Sequence, residues 1–445
     1  MTSNHTHSIK VKNNQNIQKK LEKINFKKHE ISTGFRQREP RKINGKIIIV
    51  SFLLMAMKGR NSFQQWACHI SSLVGVTVSR QGLWKRINER FTQFLHAVLL
   101  DLLEQQLLEL REQLKFYKRH SVSYQRILLQ DSTTLALPDW LKSSYPGNFS
   151  QGKMKSQLKL QVVYDIVNEC FVHFEVTPFN VNDQSKAIDI VSLSKPGDLV
   201  IRDLGYFVLE SFKEMSQGKI DFISRLRYGL NIYTDNGQEP LELLKILRKK
   251  GSFNDWVRIG KKQKLKVRLV AIKLTAEQAE KRRRKAKKDR DKRLNHSKEY
   301  YELLGYNLFI TNSKNEFDSP KKIQDLYGMR WRIETIFRCW KSYLYLQKLI
   351  PQNTPLTKER VDSIIYMFLI FILLFHTVFY NSIRQNLFKN EEKELSFSKL
   401  CLFISNHIEI IITGDNENLL QMIKYYCVYD KRNDRKNYSQ NFGLS

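Results

Sequence analysis

The chain has 445 residues, of which 42% are hydrophobic and 11% aromatic, a composition that excludes an intrinsically disordered protein and predicts more than one folded domain. Its Lys and Arg residues exceed its Asp and Glu residues by 31, and an excess of this size favours a polyanionic partner, most simply a nucleic acid. The five cysteines lie far apart and match no metal-binding spacing, so we expect neither a disulfide framework nor a zinc site, and a reducing cytoplasm fits.

The N-terminal part of the chain is basic and then helical. Residues 1–46 form a polar, basic arm with little hydrophobic periodicity, which predicts a flexible segment. Residues 47–118 are predicted to be a helical DNA-binding domain, with a turn at Gly75 and a second helix starting near Ser79. Plain helical hairpins share this spacing, so DNA reading remains an open alternative. The second helix begins with the polar residues Arg80, Gln81, Lys85 and Arg86.

The middle of the chain alternates between strand and helix patterns. Residues 119–227 contain short β-branched and aromatic runs with one helical segment between the last two, which predicts a mixed α/β sheet. Residues 228–312 are predicted to be an inserted, mainly β subdomain. Its run KRRRKAKKDRDKR at 281–293 has ten basic and two acidic residues, which favours phosphate contact over a solvated helical face.

The C-terminal third is predicted to be helical. In residues 313–385, Ser319 and Pro320 supply an N-cap and a first-turn proline for a helix that contains YGMRWRIETIFRCWK, residues 327–341. An apolar run from Ile364 continues to Tyr380 and is shorter than the roughly 20 residues of a bilayer-spanning helix. We therefore expect a buried core helix, with a membrane anchor as the alternative. Residues 386–445 are predicted to form a C-terminal helical region.

The helix at 327–341 carries one acid, Glu334, among several basic residues. At about 100° per residue, its polar side chains form one narrow stripe beside a separate apolar stripe. Taken alone, this pattern favours a ladder of salt bridges between residues four apart, each worth a few tenths of a kcal/mol. The polar stripe consists of Tyr327, Arg330, Glu334, Arg338 and Lys341.

Two further acids follow apolar runs typical of buried strands. Asp131 follows RILLQ and Asp203 follows DLVIR, so each is predicted at or near a strand end, where sites form in open α/β sheets. Together with Glu334 they make a set of carboxylate oxygens that suits Mg²⁺ or Mn²⁺. A pair of such ions can activate an attacking oxygen and stabilise a leaving oxygen in phosphodiester displacement.

These motifs resemble those of a known family. DST at 131–133 and DLGYF at 203–207 are similar to the first and second acidic motifs of DDE transposases of the insertion-sequence-four group, and VSRQGLWKRI at 78–87 is similar to their N-terminal segment. The resemblance covers about residues 60–380, and the motifs occur in the family's order. The family's YREK signature, Y-x2-R-x3-E-x6-K, is met by Tyr327, Arg330, Glu334 and Lys341.

The resemblance implies a fold and a site. The fold would be an α/β, ribonuclease H-like mixed sheet with helices on both faces, interrupted by a mainly β insertion and preceded by a helical domain. Asp131, Asp203 and Glu334 would be the catalytic triad and the ligands of two Mg²⁺ ions per active site, for which Mn²⁺ can substitute. The predicted DNA-binding residues are Tyr327, Arg330 and Lys341, with Arg338 on the same stripe.

The resemblance also implies a function. The protein would be a transposase that binds the terminal inverted repeats of an insertion sequence and catalyses metal-dependent DNA cleavage and strand transfer. Its partners would be transposon-end DNA, target DNA and a second copy of itself in a synaptic complex. We expect it in the prokaryotic cytoplasm, associated with the nucleoid and not with a membrane. The alternative is a catalytically inactive relic that still binds DNA.

Overall fold

The structure of the protein is a computed structural model that describes residues 17–40, 42–56, 59–114, 124–150, 152–288, 297–314, 319–384, 387, 394–413 and 419–429. The chain divides into two compact units. The first unit comprises Met1–Lys118, Leu135–Leu158 and Thr335–Arg435, and the second comprises Arg119–Thr134, Lys159–Glu334 and Lys436–Ser445. The first unit therefore combines the predicted N-terminal helical domain with most of the predicted C-terminal region.

Helices and strands alternate through the middle of the chain and helices dominate both of its ends. The helices are α1 Ile17–Lys23, α2 Phe26–Ser32, α3 Gly45–Ala56, α4 Phe63–Val74, α5 Arg80–Arg86, α6 Glu89–Leu114, α7 Asp189–Leu193, α8 Leu209–Gln217, α9 Leu243–Lys250, α10 Ala276–Lys287, α11 Lys298–Leu303, α12 Pro320–Gly328, α13 Trp331–Ser342, α14 Lys358–Leu374, α15 Phe397–Thr413 and α16 Leu419–Tyr426. The strands are β1 Ile127–Leu137, β2 Pro146–Ser150, β3 Lys153–Asp165, β4 Cys170–Pro178, β5 Leu199–Arg202, β6 Asp221–Arg225, β7 Ile232–Tyr233, β8 Phe253–Ile259, β9 Leu265–Lys273 and β10 Tyr306–Thr311.

The segment predicted as a flexible arm is helical where the structure describes it. Helices α1 and α2 lie in this segment, and residues 1–16 are outside the described residues. Side chains of α2 hold it in place: His29 Nε2 lies 2.8 Å from Asp101 Oδ2, and the buried Glu30 accepts a hydrogen bond from the backbone N–H of Gly45 at 2.6 Å. These contacts join residues far apart in the sequence, which is why local composition did not predict them.

The predicted helix–turn–helix is present as a pair of helices. Helix α4 ends at Val74 and is capped by Gly75, whose φ of 69° is left-handed and favours glycine. The Ser79 hydroxyl caps α5 by accepting a hydrogen bond from the N–H of Gly82 at 3.0 Å. The rings of Phe63 and Trp84 pack at 4.8 Å between the two helices. Whether this pair reads DNA stays a prediction.

Helix α14 lies in the core of the first unit, against α3 and α6. Within the described part of the chain, the helical stretch Lys358–Arg384 is the one long and apolar enough to cross a membrane, and 89% of its most apolar window is buried inside the protein. A helix buried on all sides needs apolar residues all round, as a membrane helix does. The structure therefore has the predicted buried core helix.

The strands form one mixed sheet of ten strands in the described residues, in the order β2-β3-β1-β5-β6-β10-β9-β8-β7, with β4 paired to β3. Strands β1, β5 and β6 are parallel neighbours, and the crossover between β5 and β6 is α8. Strand β10 pairs antiparallel with both β6 and β9, so strands of the predicted insertion extend the same sheet. Apolar side chains from the strands, α7, α8 and α9 share one core. The predicted α/β fold class is confirmed.

Candidate active site

Asp131 and Asp203 lie beside each other because their strands are parallel neighbours. In the register of β1 and β5, Gln130 is opposite Arg202, and each of these residues immediately precedes one of the acids. Strand β5 ends at Arg202, so Asp203 follows a strand end as predicted. Asp203 is also the N-cap of a short 3₁₀ helix. The position predicted for Asp131 was wrong, because β1 continues through it to Leu137. The pairing of β1 with β5, however, ends at Gln130, directly before Asp131.

The helix predicted across residues 327–341 is two helices. Helix α12 ends at Gly328 and α13 begins at Trp331. Between them the N–H of Arg330 donates to the carbonyl of Tyr327 at 3.1 Å, a contact between residues three apart that tightens the chain and shifts the helical phase. Gly328, a poor helix former, lies at this break. The prediction of one continuous helix with a single polar stripe was therefore wrong. Ser319 and Pro320 begin α12 as predicted.

Arg330 brings the polar residues of this segment to the two aspartates. Its Nη1 lies 2.6 Å from Glu334 Oε1 and 3.4 Å from Asp131 Oδ2. Its guanidinium carbon lies 5.8 Å from the centre of the Tyr327 ring. Burial lowers the pKa of Arg330, but Tyr327 and the acids Asp203, Glu334 and Asp131 outweigh burial, so the net shift of the pKa is upward. The structure thus gathers the three predicted acids, Tyr327 and Arg330 into one cluster within the second unit.

Burial strongly affects the Asp131 carboxyl. Burial raises its pKa to about 7, with smaller upward contributions from Asp203 and Glu334. The N–H of Ser132, which donates to Asp131 Oδ1 at 2.8 Å, and the Arg330 guanidinium both act in the opposite direction. The three neighbouring carboxylates of this half-buried site therefore carry more negative charge than one guanidinium neutralises.

A divalent metal ion would neutralise the same negative charge. Carboxylate oxygens are the ligands that Mg²⁺ and Mn²⁺ prefer, so the chemistry of this donor set fits such an ion. Among the residues that the structure describes, no group of three or more His, Cys, Asp or Glu side chains is already arranged to hold a metal ion. At this site the guanidinium of Arg330 contacts both Asp131 and Glu334. An ion bound by these acids would replace that contact.

Two predicted DNA-binding residues lie further along α13, in the stretch that belongs to the first unit. Arg338 is exposed to solvent. Lys341 is half-buried, and burial lowers the pKa of its ammonium group. Their role in DNA binding stays a prediction.

A second polar cluster, which the sequence did not predict, adjoins the two aspartates. Asp183 accepts hydrogen bonds from Lys159 Nζ and Gln161 Nε2, both at 2.9 Å, and from Ser132 Oγ at 3.3 Å. Gln161 in turn accepts a hydrogen bond from the hydroxyl of Tyr206. We call these five residues the Asp183 cluster. The only local signal was an acid after a loop, which is the commonest setting of a turn residue.

A basic cleft of about 880 Å³ lies in the region of the predicted insertion. Its lining includes the cations Arg225, Arg227, Arg282 and Lys285 and the rings of Tyr228 and Tyr300, and it extends to Leu204, next to Asp203. Burial and the neighbouring Arg225 lower the pKa of Arg282, as expected of cations that face one another. Lys285 belongs to the predicted basic run at 281–293, of which residues 289–293 lie outside the described residues.

The chain is similar to known transposases. The family model described as "Transposase DDE domain" matches residues 123–350. The transposase for insertion sequence element IS231F of Bacillus thuringiensis subsp. israelensis is 31% identical over 362 residues, which cover 77% of this chain and 74% of that protein. The transposase for IS1151 of Clostridium perfringens is 25% identical and covers 84% of this chain and 83% of its own length. A cryo-EM structure of the piggyBac transposase synaptic complex with hairpin DNA has 11% sequence identity and a TM-score of 0.40, over 93% of this chain and 83% of that chain.

Proposed function

The chain belongs to the family of transposases with a DDE transposase domain, and from that premise we propose that it binds the terminal inverted repeats of an insertion sequence and catalyses metal-dependent cleavage and strand transfer of DNA. The observation that carries the proposal is the cluster of Asp131, Asp203 and Glu334 around Arg330. These acids come from strand β1, from the residue after strand β5 and from helix α13, which are far apart in the sequence. A structural salt bridge needs one acid for one guanidinium, whereas phosphoryl transfer with two metal ions needs several.

We propose that these three acids hold the divalent ions that transposases of this family use, with Mg²⁺ as the ion and Mn²⁺ as a substitute. Two bound ions would supply Lewis-acid stabilisation of the attacking and leaving oxygens. Asp131 has to be ionised to bind a cation, and its neighbours Ser132 and Arg330 favour the ionised form. Arg330, when it no longer contacts Asp131, is free to donate to a phosphate oxygen with its planar guanidinium.

The predicted DNA contacts extend this proposal. Tyr327, Arg330 and Lys341 would contact DNA near the terminal phosphate of the transposon, and Arg338 would also bind DNA. Helix α5 would read the terminal repeat, because its exposed Arg80, Gln81 and Lys85 suit a helix that enters the major groove. The basic cleft described above would add contacts to phosphates.

The partners and the location follow from this activity. Cleavage of both ends of one element in a synaptic complex calls for transposon-end DNA, target DNA and a homodimer. A protein that acts on the chromosome of a prokaryote would lie in the cytoplasm, associated with the nucleoid. Since α14 is buried in the first unit, the chain should be extracted from cells without detergent. Recovery only in the membrane fraction would contradict this location.

The decisive experiment is a cleavage assay on labelled DNA that carries the ends of the element encoding this chain. We expect cutting at the ends in Mg²⁺, and none in EDTA or with Glu334→Ala. The matched control is Glu280→Ala, which removes a half-exposed acid of α10, and this variant should cut like the unchanged protein. Loss of cutting in Glu334→Ala with end binding retained would assign Glu334 to catalysis.

The second candidate is a catalytically inactive relic that binds transposon ends. The observation in its favour is that Arg330 contacts both Asp131 and Glu334, so that no three-acid metal site is preformed among the described residues. The same assay separates the two functions. Binding without cutting in either Mg²⁺ or Mn²⁺, unchanged by Glu334→Ala, would establish the relic and reject the enzyme.

A further inference from the structure

We propose that Asp183 is a positioning residue that fixes the placement of Asp131 relative to Asp203, and so the affinity of the site for divalent metal ions. This inference rests on the proposed function, since it concerns the same metal-binding acids. Asp183 is the first residue of a short 3₁₀ helix, Asp183–Lys186, between β4 and α7. It is not one of the three acids of the signature motifs.

On one side, Asp183 holds the strand that carries Asp131. The residue after Asp131 is Ser132, and its hydroxyl lies 3.3 Å from Asp183 Oδ1. The backbone N–H of the same Ser132 donates to Asp131 Oδ1 at 2.8 Å. One residue therefore contacts both carboxylates, and a shift of Asp183 would be transmitted to Asp131 through Ser132.

On the other side, Asp183 contacts the turn that carries Asp203. Gly205 lies so close that a Cβ atom on it would be 3.3 Å from Asp183 Oδ2, closer than most side-chain contacts. The next residue, Tyr206, is buried and donates its hydroxyl to Gln161, whose amide nitrogen donates to Asp183 at 2.9 Å. Asp183 thus lies close to this turn and is also linked to it by hydrogen bonds through Gln161.

The charge of Asp183 is already compensated within its cluster. The ammonium group of Lys159, which is 7% exposed, lies 2.9 Å from Asp183 Oδ1 and also donates to the carbonyl of Val181 at 2.9 Å. Asp183 Oδ1 accepts three hydrogen bonds in all, from Lys159, Gln161 and Ser132. Oδ1 is therefore a poor metal ligand, and Oδ2 lies against the Gly205 turn, so the contacts of Asp183 favour a role in holding other ligands over a role as a fourth ligand.

A residue that orients metal ligands without binding the ion itself has a measurable effect on metal binding. Residues that orient metal ligands typically change metal affinity by about 10–100-fold when they are substituted. The Asp183→Asn variant keeps the shape of the side chain but loses the charge that holds Lys159. We therefore expect Mn²⁺ binding to weaken by about 10–100-fold. At saturating Mn²⁺, cleavage should recover to near its original maximum, because the reacting groups are all present.

The test measures Mn²⁺ binding by the electron paramagnetic resonance signal of the free ion, on the full chain without DNA. Asp183→Asn is compared with the unchanged protein and with Asp189→Asn, a matched control six residues later whose side chain is 41% exposed and pairs with Lys186. Thermal melting and DNA-end binding in EDTA are measured on the same samples. We expect the control to bind Mn²⁺ as the unchanged protein does, and Asp183→Asn to keep DNA-end binding within about twofold.

The outcomes separate this inference from the proposed function. Unchanged Mn²⁺ affinity in a folded Asp183→Asn variant would overturn the positioning role and leave the metal mechanism intact. Absence of Mn²⁺ binding by the unchanged protein would overturn both. If Asp183→Asn does not fold, Ser132→Ala removes the hydrogen bond between Asp183 and the strand of Asp131 and leaves the Asp183 carboxylate in place. This second variant should weaken Mn²⁺ binding by at least threefold, and unchanged affinity in it would overturn the inference as well.

Discussion

Arg330 Nη1 lies 2.6 Å from Oε1 of Glu334, the acid four residues further along the chain. The same nitrogen lies 3.4 Å from Oδ2 of Asp131, which belongs to a strand almost two hundred residues earlier. A pair between residues four apart on a helix surface contributes only a few tenths of a kcal/mol. Contact with a second acid across the fold makes this arginine the counter-charge of the whole acidic cluster.

The first prediction concerns competition between Arg330 and metal ions. Arg330→Gln should destabilise the metal-free protein by about 1–3 kcal/mol, because the half-buried acids lose their cation. Addition of Mn²⁺ should then raise the melting temperature more in the variant than in the unchanged protein, since the ion no longer displaces a guanidinium. Thermal melting with and without Mn²⁺ measures both effects.

The control for this comparison is Arg338→Gln, which removes an exposed arginine of the same helix α13. Its melting temperature and its response to Mn²⁺ should match those of the unchanged protein. An equal response to Mn²⁺ in Arg330→Gln and in the control would show that ion and guanidinium do not compete for the acids.

The second prediction concerns the pH dependence of stability in EDTA. The pKa of Asp131 is raised from 3.8 to about 7 in the folded protein, so the folded state binds this proton more tightly than the unfolded chain does. Ionisation of Asp131 therefore lowers the free energy of unfolding by an amount that grows between about pH 4 and pH 7. Above that range the amount is constant. Asp131→Asn removes the cost and should stabilise the protein at pH 8 by about 1–4 kcal/mol.

Urea unfolding at pH 8 and at pH 5 measures this effect, and the gain from Asp131→Asn should shrink at the lower pH. Asp235→Asn, which removes a half-exposed acid, serves as the control and should change stability little at either pH. A gain that is the same at both pH values would mean that the charge of Asp131 is not the cause.

The third prediction concerns Arg202, the buried residue before Asp203. Its side chain is 0% exposed, donates to the carbonyl of Ala187 at 2.8 Å and to Ser211 Oγ at 3.0 Å, and lies 4.5 Å from the Phe212 ring centre. Arg202→Ala would leave a cavity and unpaired polar groups, and should destabilise the protein by about 3–5 kcal/mol. Urea unfolding tests this.

The matched control is Arg284→Ala on α10, where the arginine is 66% exposed. This variant should change stability by no more than about 0.5 kcal/mol. A cost for Arg202→Ala as small as that of the control would contradict a structural role for Arg202 beneath the site.

The fourth prediction concerns DNA binding by α5. Arg80 and Lys85 are exposed on this helix. If each contacts a phosphate, Arg80→Ala and Lys85→Ala should each reduce the slope of log affinity against log salt by about 0.9. Binding of transposon-end DNA at several salt concentrations gives the slope. Lys213→Ala on α8 is the control. A slope that falls equally in all three variants would contradict the proposed phosphate contacts of α5.

Local sequence predicted most of the elements correctly, because their signals are local. Ser79 and Ser319 cap helices where the sequence placed them, since a cap needs only its own helix. The break between α12 and α13 was missed, because one glycine costs a helix only about 1 kcal/mol and does not by itself predict an end. The end of the β1–β5 pairing at Gln130, inside the longer strand β1, depends on pairing partners elsewhere in the chain.

The sequence by itself determined the family and the fold class, because motif spacing and hydrophobic periodicity are written along the chain, and it predicted the three acids as the site. Only the tertiary structure decided which charges meet. The contact of Arg330 with Asp131 and the hydrogen bonds of Asp183 to Ser132 and Lys159 join residues from separate strands, helices and turns. No local pattern encodes such contacts, since they arise only when the fold brings residues of β1, β3 and distant turns and helices within hydrogen-bond distance.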